Sequence, residues 1–141
     1  MESLITASIA AFLVGLCVLL HFEALNLFSL CLPPEGGHFR RLIVVYVLGL
    51  IVVHIVEIWL FGLGIWAMVD WLGIGSILGG AEGVYDFVYF SAMIYTTVGF
   101  GDLVPEGPLR LLVGTEALAG LSLITWSASY TFFLMQRIWQ H

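Results

Sequence analysis

Residues 84–102 read Val-Tyr-Asp-Phe-Val-Tyr-Phe-Ser-Ala-Met-Ile-Tyr-Thr-Thr-Val-Gly-Phe-Gly-Asp, and this stretch decides the fold. Its first part, Val84 to Thr96, is apolar and helix-like, but at helical rise it is only about 20 Å long, too short for a hydrocarbon core of about 30 Å. A half-helix that enters a membrane and turns back is the natural solution. The glycine-rich segment that follows, Thr97 to Asp102, cannot lie against lipid as irregular backbone. It is tolerated at membrane depth only inside protein or along a water-filled path.

The setting is a membrane one. Of 141 residues, 61% are hydrophobic and 10% charged, whereas a soluble domain has roughly 25% charged residues. Three apolar runs are long enough to cross: Leu4 to Leu20, Leu42 to Val69, and Leu109 to about Met135. The first lacks a basic leading region and a small-residue cleavage site, so it reads as a retained helix rather than a signal peptide. After it, Phe22 to Leu32 is expected to run along the membrane surface until Pro33-Pro34 and Gly36-Gly37 break the helix. The division is therefore 1–41, a transmembrane helix plus interfacial segment, and 42–141. Within the latter we expect an outer helix 42–69, a half-helix 84–96, an irregular loop 97–102 and an inner helix 109–136. Cys17 and Cys31 lie in apolar stretches without metal-ligand spacing and read as buried thiols. With four Arg, no Lys and a net charge of −6, the chain has no basic face for nucleic acid.

Thr97-Val98-Gly99-Phe100-Gly101-Asp102 resembles the filter signature of the tetrameric potassium-channel pore-domain family, in the form with Phe for Tyr. The resemblance extends over roughly residues 42–137 and suggests a small prokaryotic-type channel with an additional N-terminal transmembrane helix. It implies an all-α membrane fold in which four identical chains form one pore. Ions would pass down their gradient between the carbonyls of Thr97, Val98, Gly99 and Phe100 and the Thr97 hydroxyl, with Gly101 completing the outer end. The chemistry makes sense of the residues: an ion leaving water needs replacement oxygens, which a ring of backbone carbonyls supplies. Glycines let the backbone take the conformations that turn successive carbonyls one way. The expected cargo is K⁺, with no other cofactor, and the expected partners are three further copies and membrane lipid. A non-selective cation channel and a non-conducting membrane scaffold remain the alternatives. A haem held by His21 and His54 lacks a second matched histidine pair. No nucleophile–base pair or hydrolytic motif points to an enzyme.

The family's orientation places the filter acid outside. The chain is then multi-pass in the cell membrane, with its N-terminus outside and its C-terminus cytoplasmic. Arg40, Arg41 and Arg137 inside against Arg110 outside agree with the positive-inside rule. Asp70, Glu82, Asp86, Asp102 and Glu106 then surround the outer mouth, either as a field that concentrates cations or as a solvated acidic loop. Some relatives carry a glutamate where this chain has Met93, so a carboxyl pair with Asp102 behind the filter cannot form that way. Tyr89 is the substitute candidate for holding Asp102, with ordinary packing the alternative, and Thr96 adjoins the filter.

On the inner helix, Ser122, Thr125 and Ser129, with Thr115, share a stripe about 80° wide at 100° per residue. This suits a cavity lining, or alternatively hydrogen bonding between helices. The opposite stripe, with Glu116, Gly120, Ser127 and Thr131, is expected to pack on neighbouring helices. Gly120 is a candidate hinge and Phe133 a candidate apolar gate. His54 and Glu57, three apart, and Glu116 are ionisable groups inside spans and hence functional candidates. They are read as braces for the half-helix, with proton sensing through His54 an open role and a mutually satisfied polar cluster the alternative. No helix carries arginine at every third position, and few residues follow the third span. Gating is thus expected within the membrane, and a constitutive leak fits equally.

Overall fold

The computed structural model describes residues 1–30 and 39–139. In chain order it contains α1 (Glu2–Leu30), α2 (Phe39–Trp66), β1 (Ser76–Leu78), α3 (Val84–Tyr95), β2 (Val104–Glu106) and α4 (Leu109–Trp139). The chain has an all-α membrane fold, with three helices long and apolar enough to cross a bilayer. The end of α2 widens into a π-helical turn, Ala67–Trp71, which carries the outer helix to its expected length.

α1 differs from its expected course. The helix does not end near Leu20 but continues unbroken to Leu30, because nothing between His21 and Leu30 breaks it. Cys31, Pro33-Pro34 and Gly36-Gly37 lie outside the described residues. The buried residues of α1, namely Thr6, Ala10, Leu13, Cys17, His21 and Leu25, recur every three or four positions and form one stripe. That stripe packs against both α2 and α4. Leu4, Phe12, Leu19 and Leu27 point away from it and are exposed, as expected of a face toward lipid. Residues 28 and 46–49 meet at one end of the α1–α2 pair, where the Tyr46 hydroxyl donates to the Phe28 carbonyl at 2.9 Å and Gly49 leaves room for the Phe28 ring. Leu13 lies against Gly64 at the other end, so the two helices run antiparallel.

α3 is a 12-residue half-helix wedged between α2 and α4, with Phe87, Phe90, Ser91 and Tyr95 buried. Its start is set by Gly83 and by Asp86, whose Oδ2 accepts the backbone N–H groups of Glu82 (3.0 Å) and Gly83 (3.2 Å). These are donors that a helix N-terminus otherwise leaves free. Gly62 of α2 lets the backbone of α3 approach at Val88, where a Cβ would come within 2.8 Å of the Val88 Cα.

Two short strands went unforeseen. β1 pairs antiparallel with β2, in the register Ser76 to Glu106, Ile77 to Pro105 and Leu78 to Val104. Three residues each, with Gly and Pro nearby, are too few for an alternation to show in sequence. The ribbon joins the segment before α3 to the segment after the loop, and the Ser76 hydroxyl adds a bond to Glu106 Oε2 at 3.0 Å.

α3 and α4 approach closely at Gly120. A Cβ there would collide with the Tyr95 carbonyl oxygen, at the C-terminal end of α3. The glycine at the candidate hinge thus has a packing reason that is independent of bending. We predict that Gly120→Ala pushes α4 off the end of α3 and costs about 1–3 kcal/mol, as overpacking does. Thermal unfolding of the detergent-solubilised protein checks this.

Candidate functional site

Beyond Tyr95 the backbone changes character. Thr97, Gly99 and Gly101 have φ of 59°, 53° and 81°, whereas Val98 and Phe100 between them do not enter the left-handed region. Backbone that alternates in the sign of φ can turn successive carbonyls toward one side. Glycine accommodates positive φ at two of the three positions, and Thr97 holds it against its side chain's preference. The loop is tied to α3 by backbone bonds from Thr97 N–H to the Ile94 carbonyl (2.9 Å) and from Gly99 N–H to the Met93 carbonyl (3.0 Å). Thr96 turns its hydroxyl back to the Ala92 carbonyl at 2.6 Å. Val98 and Phe100 are 54% and 71% exposed in the single chain, so apolar side chains beside the loop stand uncovered.

The Tyr89 hydroxyl donates to Asp102 Oδ2 at 2.9 Å, bridging α3 to the far end of the loop. This is the pair that the sequence offered for holding Asp102. That hydrogen bond is the main reason the Tyr89 phenol is pushed above its ordinary pKa, burial and the Asp102 charge adding to it.

Toward the C-terminal end of the half-helix, two carboxyl groups within the long helices reach it, one from α2 and one from α4. Glu57 of α2 is fully buried and accepts a hydrogen bond from the Tyr95 hydroxyl. Glu116 of α4, also fully buried, accepts one from the Ser91 hydroxyl, which contacts the Ile58 carbonyl as well. Ser91 and Tyr95, four apart, share one face of α3. Both carboxyl groups, which the sequence offered with His54 as braces, thus hydrogen-bond to side chains of the half-helix. Oε2 of Glu116 has no hydrogen-bond partner among the described residues.

His54 and Glu57 meet as their spacing implies, with His54 Nδ1 3.0 Å from Glu57 Oε2 and 2.9 Å from the Tyr95 hydroxyl. Sequence reasoning did not foresee that His21 joins them from α1. Its Nδ1 is 3.0 Å from Glu57 Oε1. Ser127 of α4 completes the group, with Oγ 3.0 Å from His54 Nε2 and 3.2 Å from His21 Nε2. The signal was present in part, since an ionisable residue inside α1 requires a polar partner. Which helix supplies that partner depends on packing. The two imidazoles converge on one carboxylate.

α4 separates into the two stripes read from its sequence. Glu116, Gly120 and Ser127 are buried within the chain, whereas Ser122, Thr125 and Ser129 are exposed. Each of the latter hydroxyls donates to the carbonyl four residues earlier, Leu118, Leu121 and Thr125 respectively, at 2.7–3.0 Å. None is used to bond another helix of the same chain among the described residues. Phe133 is 68% exposed beside Phe132.

Two long helices that flank a half-helix and an alternating-φ loop define a membrane protein with a pore loop. A family model described as "ion channel" matches residues 41–137, and the chain belongs to this family of two-helix pore domains. The match takes in α2, α3, the loop and most of α4, and leaves α1 outside. Neither the curated proteins nor the solved structures yielded a match.

Two predictions follow from these contacts. Ser91→Ala removes the hydrogen-bond donor of Glu116 and leaves a buried carboxyl group unserved, which should cost about 1–3 kcal/mol in thermal or denaturant unfolding. In an alkaline absorbance titration, Asp102→Asn should lower the ionisation pH of one tyrosine, and this change should be absent in the Tyr89→Phe background.

Proposed function

We propose that the protein is a potassium-selective channel, a homotetramer that passes K⁺ down its gradient through a filter formed by Thr97, Val98, Gly99, Phe100 and Gly101. The observation that carries this reading is the alternation of φ over residues 97–101 within a Thr-Val-Gly-Phe-Gly sequence. It can turn the carbonyls of a short loop toward one side, where a ring of four copies offers an ion the oxygens it loses on leaving water.

Other features support the same assembly. One chain contains one such loop, so a closed ring requires several copies. The uncovered Val98 and Phe100, and the exposed hydroxyl face of Ser122, Thr125 and Ser129, suit burial against neighbouring copies and a water-filled cavity below the filter. The C-terminal end of α3, where a helix dipole is negative, adjoins the loop at Thr96. The exposed outer faces of α1 and α2, with Phe12, Leu19, Val44 and Ile51, suit lipid. The acidic residues near the loop would then concentrate cations at the outer mouth, in the cell membrane, with the C-terminus cytoplasmic. Four copies of Phe133 near the inner end would form an apolar constriction. No chemical reaction is assigned to the chain, and K⁺ is its bound and transported ion.

The test is ion flux from liposomes containing the purified protein. We predict K⁺ flux that is not supported by Na⁺ and is lost in Gly99→Ala, where a β-carbon meets a φ of 53°. Equal Na⁺ flux would indicate a non-selective cation channel, and absence of flux over a range of pH and voltage from an intact oligomer would favour a scaffold. Faster opening in Phe133→Ala would identify the constriction as the gate, and unchanged opening would exclude it.

A further inference from the structure

The cluster where the four helices meet has more hydrogen-bond contacts than hydrogens. Glu57, His21, Ser127 and His54 form a closed ring. Its contacts are Glu57 Oε1 with His21 Nδ1 (3.0 Å), His21 Nε2 with Ser127 Oγ (3.2 Å), Ser127 Oγ with His54 Nε2 (3.0 Å) and His54 Nδ1 with Glu57 Oε2 (3.0 Å). A neutral imidazole carries one N–H, a hydroxyl one O–H and a carboxylate none. The ring therefore has four contacts and three hydrogens when both histidines are neutral. Tyr95 does not supply the fourth, since its hydroxyl already donates to Glu57 Oε2. Turning that hydroxyl to His54 Nδ1 would still leave a lone pair of His54 facing the carboxylate.

A metal cation resolves the conflict. If both Nδ1 lone pairs and the Glu57 carboxylate point at one ion, both N–H groups lie on Nε2. Both can then donate to Ser127 Oγ, which has two lone pairs to accept them. A ligating histidine characteristically gives its other ring N–H to such an oxygen. The spacing also fits. One donor atom from each of His21, His54 and Glu57 lies within 4.8 Å of the others. Each Nδ1 is 3.0 Å from a different oxygen of Glu57, Oε1 for His21 and Oε2 for His54, which matches the roughly 2.8–3.1 Å edge between ligand atoms about 90° apart with bonds of about 2.0–2.2 Å, the arrangement of a carboxylate bound through both oxygens.

We propose that His21, His54 and Glu57 form a binding site for a divalent transition-metal ion of the zinc type, with Ser127 orienting both imidazoles and Tyr95 orienting the carboxylate. Two imidazoles and one carboxylate suit zinc and its late first-row neighbours, whereas calcium and magnesium prefer all-oxygen sites. The ion would join α1 to α2. Through Glu57 it would also reach Tyr95, the last residue of α3, two positions before Thr97. The site thus gives the N-terminal helix, which lies outside the family match, a way to hold the inner end of the filter.

The full-length protein, solubilised in detergent and stripped with a chelator, is titrated with zinc chloride by calorimetry. In parallel it is titrated with cobalt(II), whose visible ligand-field band reports coordination directly. We expect one ion per chain, and loss of both signals in His21→Ala and His54→Ala. Ser127→Ala retains all three ligands and is expected to weaken binding by about 10-fold or more. Elution of each variant at the wild-type oligomer position shows that it has folded. Absence of zinc and cobalt uptake by the wild type would overturn the site. Uptake that survives His21→Ala and His54→Ala but falls in Glu82→Gln with Glu106→Gln would place the ion on the outer acidic surface and overturn it equally.

Discussion

A carboxylate inside a membrane must be satisfied by its own protein, and in this chain that requirement falls on Glu57. No side chain of α2 alone can meet it, since His54 serves only one of its two oxygens. The other oxygen takes His21 from α1, and Tyr95 from α3 comes to the side that His54 faces. One buried acid thereby draws three helices together at the depth where the half-helix ends. Removing one partner from such a group costs more than the bond is worth when made, because the remaining charge stays buried. Glu116 of α4 likewise reaches Ser91, on the same face of α3.

The half-helix is held by shape as well as by polar bonds. Gly62 brings α2 against the backbone of Val88, and Gly120 brings α4 against the carbonyl of Tyr95. α3 therefore has glycine contacts on two neighbours and a carboxylate bond from each. From the middle of α3 Tyr89 holds Asp102, and the β1–β2 ribbon ties the segment before α3 to the segment after the loop. The irregular loop lies between these two anchored ends. Such support is what positive φ at Thr97 requires, since a residue with a β-carbon takes that conformation only where its surroundings impose it.

Much of this architecture was legible in the amino-acid order. The half-helix Val84–Tyr95 was recognisable because its apolar run is too short to span, and the two long helices around it because theirs is long enough. The two faces of α4 followed from helical periodicity, with Glu116, Gly120 and Ser127 inward and Ser122, Thr125 and Ser129 outward. The course of α1 was less legible. Its apolar pattern weakens after His21, and a weakening pattern resembles the start of an interfacial segment unless the helix is seen to find a neighbour. The three-residue strands were too short to carry any period.

Local chemistry and spacing along the chain thus determined which segments lie in the membrane, where the backbone must turn back, and where the glycines of a positive-φ loop belong. Periodicity could also place His54 and Glu57 on one side of α2, because positions three apart share a helix face. It could not place His21 and Ser127 beside them, as they are separated from that pair, and from each other, by whole helices. Only the tertiary packing of α1 against α2 and α4 decided that these groups meet. Helical period orders residues within one element, and a contact between elements depends on their axial offset and rotation, which many distant side chains set together.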